Sequence, residues 1–111
     1  MAHFPNPRDR RLIASFDRPE LTRILDLYGR MVAAGKWRDY ALRFSPEVAV
    51  FAAFRRSAER LEFRIEKRPA LRLKQSEFAL FGEHGQALMR GPDLGLVLAP
   101  VERRLIRLVA P

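Results

Sequence analysis

The sequence predicts an α+β fold: a four- to five-stranded antiparallel meander packed on one N-terminal helix at about residues 18–34, with a short C-terminal helix. Three observations predict it. Apolar residues recur at helical spacing from Leu21 to Val32. From Tyr40 onward the apolar pattern changes to period two. The connections between the period-two runs are short, so neighbours in the chain pair with each other. An antiparallel barrel closed by the first helix is the alternative architecture.

Taken in order, residues 1–10 hold Pro5 and Pro7 among polar neighbours and read as a flexible tail, with 11–111 as a single domain. "RLIASF" (Arg11 to Phe16) suits a short strand leading into the helix. Asp17 is placed as an N-cap, with Glu20 completing a capping box and Pro19 in the first turn. Leu21, Ile24, Leu25, Tyr28, Met31 and Val32 form the apolar stripe, and Gly35 supplies a left-handed stop. Gly29 interrupts this helix at a cost of about 1 kcal/mol against Ala, which a close helix–strand contact would explain.

Tyr40, Leu42 and Phe44 then alternate with Asp39, Ala41 and Arg43 before a turn at Ser45–Glu47. "VAVFAAF" (Val48 to Phe54) is apolar on both faces and reads as a central strand. Leu61, Phe63 and Ile65 face inward on the next one. Phe78 and Leu80 open a further strand, and "GEHG" (Gly82 to Gly85) closes a hairpin onto Ala87–Met89. Near the C-terminus, Leu94, Val97 and Leu98 suit a helix entered through Pro92 and Asp93, which Pro100 should end or kink. "RRLIRLV" beyond it fits a helix or a strand, with helix preferred. The expected core is Leu25, Tyr28, Leu42, Phe44, Val50, Phe63, Ile65 and Leu80.

Composition narrows the function classes. Hydrophobic residues make up 48% of 111, which is a globular composition. No apolar run approaches the roughly 18 residues of a membrane span. "MAHFPNPRDRR" lacks the apolar stretch of a secretory signal. Zero Cys excludes disulfides, thiolate metal sites and a thiol nucleophile. A bacterial, cytoplasmic protein is expected.

Catalysis is poorly supplied. His3 lies in the tail and His84 at a hairpin tip, where a general base has neither pocket nor orienting neighbour. Glu83 and His84 lack a third metal ligand, and the glycines form no phosphate loop. Ser15, Ser45, Ser57 and Ser76 carry no nucleophile motif. No catalytic residue, metal or cofactor is assigned.

The net charge of +8 points instead to anionic partners. Arg outnumbers Lys 18 to 3, a bias that suits bidentate phosphate contacts but that a GC-rich genome also produces. Along "LEFRIEKRPALRLK" (Leu61 to Lys74), Glu62, Arg64, Glu66 and Arg68 alternate in sign on one face and offset each other. Past Ile65, Lys67, Arg68, Arg72 and Lys74 have only Glu66 near them in sequence, and Pro69 should hold that stretch extended. With Arg55 and Arg56 from the preceding turn, the expected anion- or nucleic-acid-binding set is Arg55, Arg56, Arg68, Arg72 and Lys74. Trp37, between Lys36 and Arg38, is either an exposed aromatic contact for that partner or a residue packed over the helix end, and packing is favoured.

The leading function is therefore a non-catalytic binding module for nucleic acid or an acidic protein surface. A structural or oligomeric module, seated through Trp37 or "LIRLV", is the second reading. A small enzyme or ligand-binding domain is the third, and it requires a pocket with convergent polar groups.

"LYGRMVAAGKWRDYALRF", "VFAAFRRSAE", "FRIEKRPAL" and "LMRGPDL" together resemble the domain of unknown function 2794 family, a set of short, mainly alphaproteobacterial proteins. The resemblance spans about residues 12–100. It implies no assigned activity, cofactor or catalytic residue. It also implies a glycine after the Lys-Gln pair and a His after the Arg-Gly pair, where this chain has Ser76 and Pro92.

Overall fold

A computed structural model describes residues 13–56 and 60–109. The tail expected at 1–10, His3 and Ser57 lie outside the described residues. Helix α1 (Arg18–Ala33) is followed by strands β1 (Asp39–Phe44), β2 (Ala49–Phe54) and β3 (Leu61–Lys67). Next come a 3₁₀ turn (Pro69–Leu71), β4 (Phe78–Phe81), β5 (Ala87–Gly91) and helix α2 (Leu94–Val109). The strands form one antiparallel sheet in the order β1-β2-β3-β4-β5. This is the α+β meander that the periodicity predicts. Among the described residues β1 and β5 remain edges, so the sheet is open and not the alternative barrel.

The start of α1 follows the sequence chemistry closely. Asp17 Oδ1 accepts the Glu20 N–H at 2.8 Å, and Glu20 Oε1 accepts the Asp17 N–H at 2.8 Å. Two otherwise orphaned donors are thereby satisfied. The helix ends at Ala33, and Gly35 follows with φ +76°, where a Cβ would be strained. Before α1, residues 13–17 form no strand, and Ala14 N–H donates to the Ser45 carbonyl at 2.9 Å.

Both helices lie on one face of the sheet. Ile24, Leu27 and Met31 of α1 and Leu94, Val97, Leu98, Val101 and Leu105 of α2 are buried with Ala49, Phe51, Ala53, Ile65, Phe78 and Leu80. Tyr28 meets Tyr40 at 4.9 Å and Phe51 at 6.1 Å between ring centroids. Leu25, Tyr28 and Phe63 pack against this cluster half-buried. Among the described residues, no helix is long and apolar enough to cross a membrane.

Several expectations need correction. Leu42 and Phe44 are exposed, because β1 is an edge strand that the helices only partly cover. Val50 faces away from the helices, since Ala49, Phe51 and Ala53 take the inner positions of β2. α2 runs through Pro100 as 16 continuous residues. The carbonyl that loses its partner there belongs to Leu96, an exposed residue. Past Pro69 the chain coils into a 3₁₀ turn, with proline in its first helical positions, where the missing N–H is no loss.

Ser76 adopts φ +78°, the left-handed region that glycine enters without strain. That accounts for the glycine which the family resemblance implies there. Gly29, by contrast, is exposed, and nothing lies within 4 Å of where its Cβ would stand. Close packing therefore does not explain it. Gly29→Ala should raise stability by about 1 kcal/mol through helix propensity alone. Urea unfolding followed by Trp37 fluorescence measures the change.

Candidate functional site

The distinctive local event is a β-bulge. Ala53 pairs with Phe63 but Phe54 pairs with Leu61, which leaves Glu62 as the extra residue. Upstream of the bulge the strand's facing is offset by one. Leu61 lies on the outer face with Phe54, Ala52 and Val50, and not inward as its spacing from Phe63 suggests. Glu62 leaves the outer face and turns toward α2.

Glu62 is 3% exposed. Its carboxylate accepts hydrogen bonds from Arg55 Nε and Arg104 Nη1, one oxygen to each. Arg55 comes from the end of β2 and Arg104 from the second half of α2, so one carboxylate ties the β2–β3 hairpin to the helix layer. The hydrogen bond and the charge of Glu62, with a lesser contribution from Glu83, push the Arg55 guanidinium's proton affinity further up. Arg104 also lies 5.8 Å over the Phe63 ring.

Around this clamp, three chain segments meet at one end of the sheet. A cleft of about 670 Å³ is lined by Gly35, Lys36 and Arg38 after α1, by Arg55 and Arg56 after β2, and by Arg104. The left-handed stop at Gly35 turns the chain so that Lys36 and Arg38 follow directly beside the hairpin. Five cations thus line one cleft, two of them bound to Glu62, with Glu83 close enough to influence Arg55. Arg38 and Arg56 are exposed.

The predicted set of five basic residues does not form one patch. Ala49 pairs with Lys67 while Phe54 pairs with Leu61, so Arg55 and Arg56 stand at one end of β3 and Arg68 at the other. Seven strand residues separate them, or roughly 20 Å. The charge at the far end is largely matched. Lys67 Nζ is 2.7 Å from Glu20 Oε1, Arg68 Nε is 3.1 Å from Glu66 Oε1, and Arg72 is 3.7 Å from Glu77. Only Lys74 of that group has no carboxylate within reach among the described residues. On the outer face, Arg64, Glu66 and Arg68 offset one another as the alternating signs suggest.

Trp37 is 1% exposed and packs against Tyr28 and Phe63, at 6.0 Å to each ring. It is a core residue, so the exposed aromatic contact is not formed. His84 sits exposed at the β4–β5 tip with Glu83 3.5 Å away. Sequence reasoning passed over Lys36 and Arg38, except as neighbours of Trp37, and over Arg104. The Gly35 stop carried the signal for the first two.

The pattern of the family described as "Protein of unknown function (DUF2794)" matches residues 14–98. The chain belongs to this family. No curated protein and no solved structure matches it. The matched region of this DUF2794 protein contains the whole of the sheet and every cleft residue but Arg104.

Removing the buried charge tests the clamp. Glu62→Gln should cost about 2 kcal/mol, below the full cost of breaking a buried pair because both arginines are about a third exposed. Arg72→Ala, at the opposite end, should stay within about 0.5 kcal/mol. Denaturant midpoints of the two variants against the parent provide the comparison.

Proposed function

We propose that this protein is a non-catalytic binding module whose cleft at the β2–β3 hairpin receives an acidic partner, nucleic acid first and an acidic protein surface second. The observation that carries the reading is the convergence of Lys36, Arg38, Arg55, Arg56 and Arg104 on one cleft. Four of the five are guanidiniums, whose planar fork matches phosphate and carboxylate oxygens in pairs. The roles divide. Arg55 and Arg104 are committed to Glu62 and hold the cleft's shape. Lys36, Arg38 and Arg56 present charge to a ligand. A bacterial, cytoplasmic setting accords with this reading, since nucleic acid is plentiful there. Arg68, Arg72 and Lys74 form a separate, weaker group that a long ligand would reach only after crossing the sheet.

Fluorescence anisotropy with labelled single-stranded and duplex oligonucleotides tests the proposal. Affinity should fall linearly in log–log form with salt. The double change Arg38→Ala and Arg56→Ala should lower the salt slope by about 2 if each cation meets one phosphate. Arg72→Ala with Lys74→Ala should lower it by less than half as much. No binding to either oligonucleotide at low salt would discard the nucleic-acid reading. Binding that ignores the cleft changes would discard the cleft.

A further inference from the structure

Among the described residues, the sheet ends on an uncovered strand. β1 is an edge, and β2 is the one strand paired with it among the described residues. Every residue from Tyr40 to Phe44 is exposed, with Tyr40 at 41%, Leu42 at 38% and Phe44 at 45%. The ladder fixes which backbone groups face outward. Ser45 N–H donates to the Val48 carbonyl at 3.0 Å, marking a hydrogen-bonded pair. By alternation, Asp39, Ala41 and Arg43 turn their N–H and C=O groups toward β2, whereas Tyr40 and Leu42 turn theirs toward the open edge. The strand carries no proline and no bulge, two of the usual guards of such an edge. What satisfies it in the single chain is local: Asp39 Oδ1 accepts the Tyr40 N–H at 2.8 Å.

The side chains on this edge are chemically palindromic. Asp39-Tyr40-Ala41-Leu42-Arg43 reads acid, apolar, alanine, apolar, base. We propose that β1 pairs antiparallel with β1 of a second copy of this chain, about a two-fold axis through Ala41, joining the two sheets edge to edge. In that register Tyr40 faces Leu42 of the second copy in a hydrogen-bonded pair, which is what the outward-facing groups require. Ala41 meets Ala41 on the axis, where side chains approach most closely and small ones fit. Asp39 faces Arg43 of the second copy, and symmetry makes every pair twice.

Neighbouring registers are worse. A slip by half a pair sets inward-turned groups against outward-turned ones and loses the ladder. Centring on Leu42 instead sets Arg43 opposite Ala41, loses both ion pairs, and brings the second copy against Ser45. Ala14, hydrogen-bonded to Ser45, already stands beside that residue. Pairing about Ala41 exchanges the Asp39–Tyr40 contact for a ladder bond plus an ion pair, and removes Tyr40 and Leu42 from water. The proposal uses no residue of the basic cleft, so it stands or falls independently of it.

Sedimentation equilibrium of the full chain, with charge-swapped variants, tests the pairing. The parent should show a concentration-dependent species at twice 12.9 kDa. Asp39→Arg alone, or Arg43→Asp alone, sets like charges opposite each other twice and should weaken association about tenfold or more. The double variant Asp39→Arg, Arg43→Asp should recover it, and so should an equimolar mixture of the two single variants. Circular dichroism matching the parent shows that each variant folds. A parent that stays at 12.9 kDa up to millimolar concentration overturns the proposal. So does association that the single variants leave unchanged, or that the charge swap fails to recover.

Discussion

A carboxylate withdrawn from water must be met by donors, and Glu62 is met by two arginines arriving from different layers. Arg55 reaches it from the sheet and Arg104 from α2. Stranding the charge would cost several kcal/mol, so the three side chains hold as a unit or not at all. The bulge at Glu62 is what allows this, because in regular alternation the carboxylate would stand on the outer face beside Arg64 and Glu66. One extra strand residue therefore fixes the hairpin to the helix layer and sets where the charge of this end accumulates.

The two ends of β3 consequently differ in kind. At the far end each cation but Lys74 has a carboxylate beside it: Glu20 for Lys67, Glu66 for Arg68, which shares it with Arg64, and Glu77 for Arg72. In each of these pairs the carboxylate is largely buried and the cation beside it offsets its charge locally, which leaves little field. At the hairpin end a single buried carboxylate is shared by two arginines, and Lys36, Arg38 and Arg56 surround them. The excess charge there is a consequence of geometry, because Glu62 spends its two oxygens inward. Charge counted along the chain cannot show this distinction.

What was legible in the sequence was local. The Asp17–Glu20 capping box, the Gly35 stop and the antiparallel meander all follow from spacing and from cap and turn chemistry, and all are present. What was not legible was pairing detail. A bulge inserts one residue without changing composition, so Leu61 and Glu62 exchanged faces unannounced. Arg55 and Arg68 are close in sequence, yet an antiparallel hairpin carries them to opposite ends of a strand. Edge position, which exposes Leu42 and Phe44, depends on the order of all five strands. Pro100 is expected to end or kink the helix because a proline disfavours it, but α2 buries Val97, Val101 and Leu105 on either side of it, and that packing outweighs one lost bond.

The central claim is that Arg55 and Arg104 are held by Glu62 while Arg38 and Arg56 remain available to an anion. Nitrogen-edited NMR of the arginine side chains, recorded before and after addition of inorganic phosphate, separates the two groups directly. The account predicts a slowly exchanging Arg55 Nε–H that phosphate leaves unshifted, beside rapidly exchanging Arg38 and Arg56 signals that move on titration. An Arg55 Nε–H that exchanges as fast as that of Arg56, or phosphate shifts confined to Arg72 and Lys74, would contradict it.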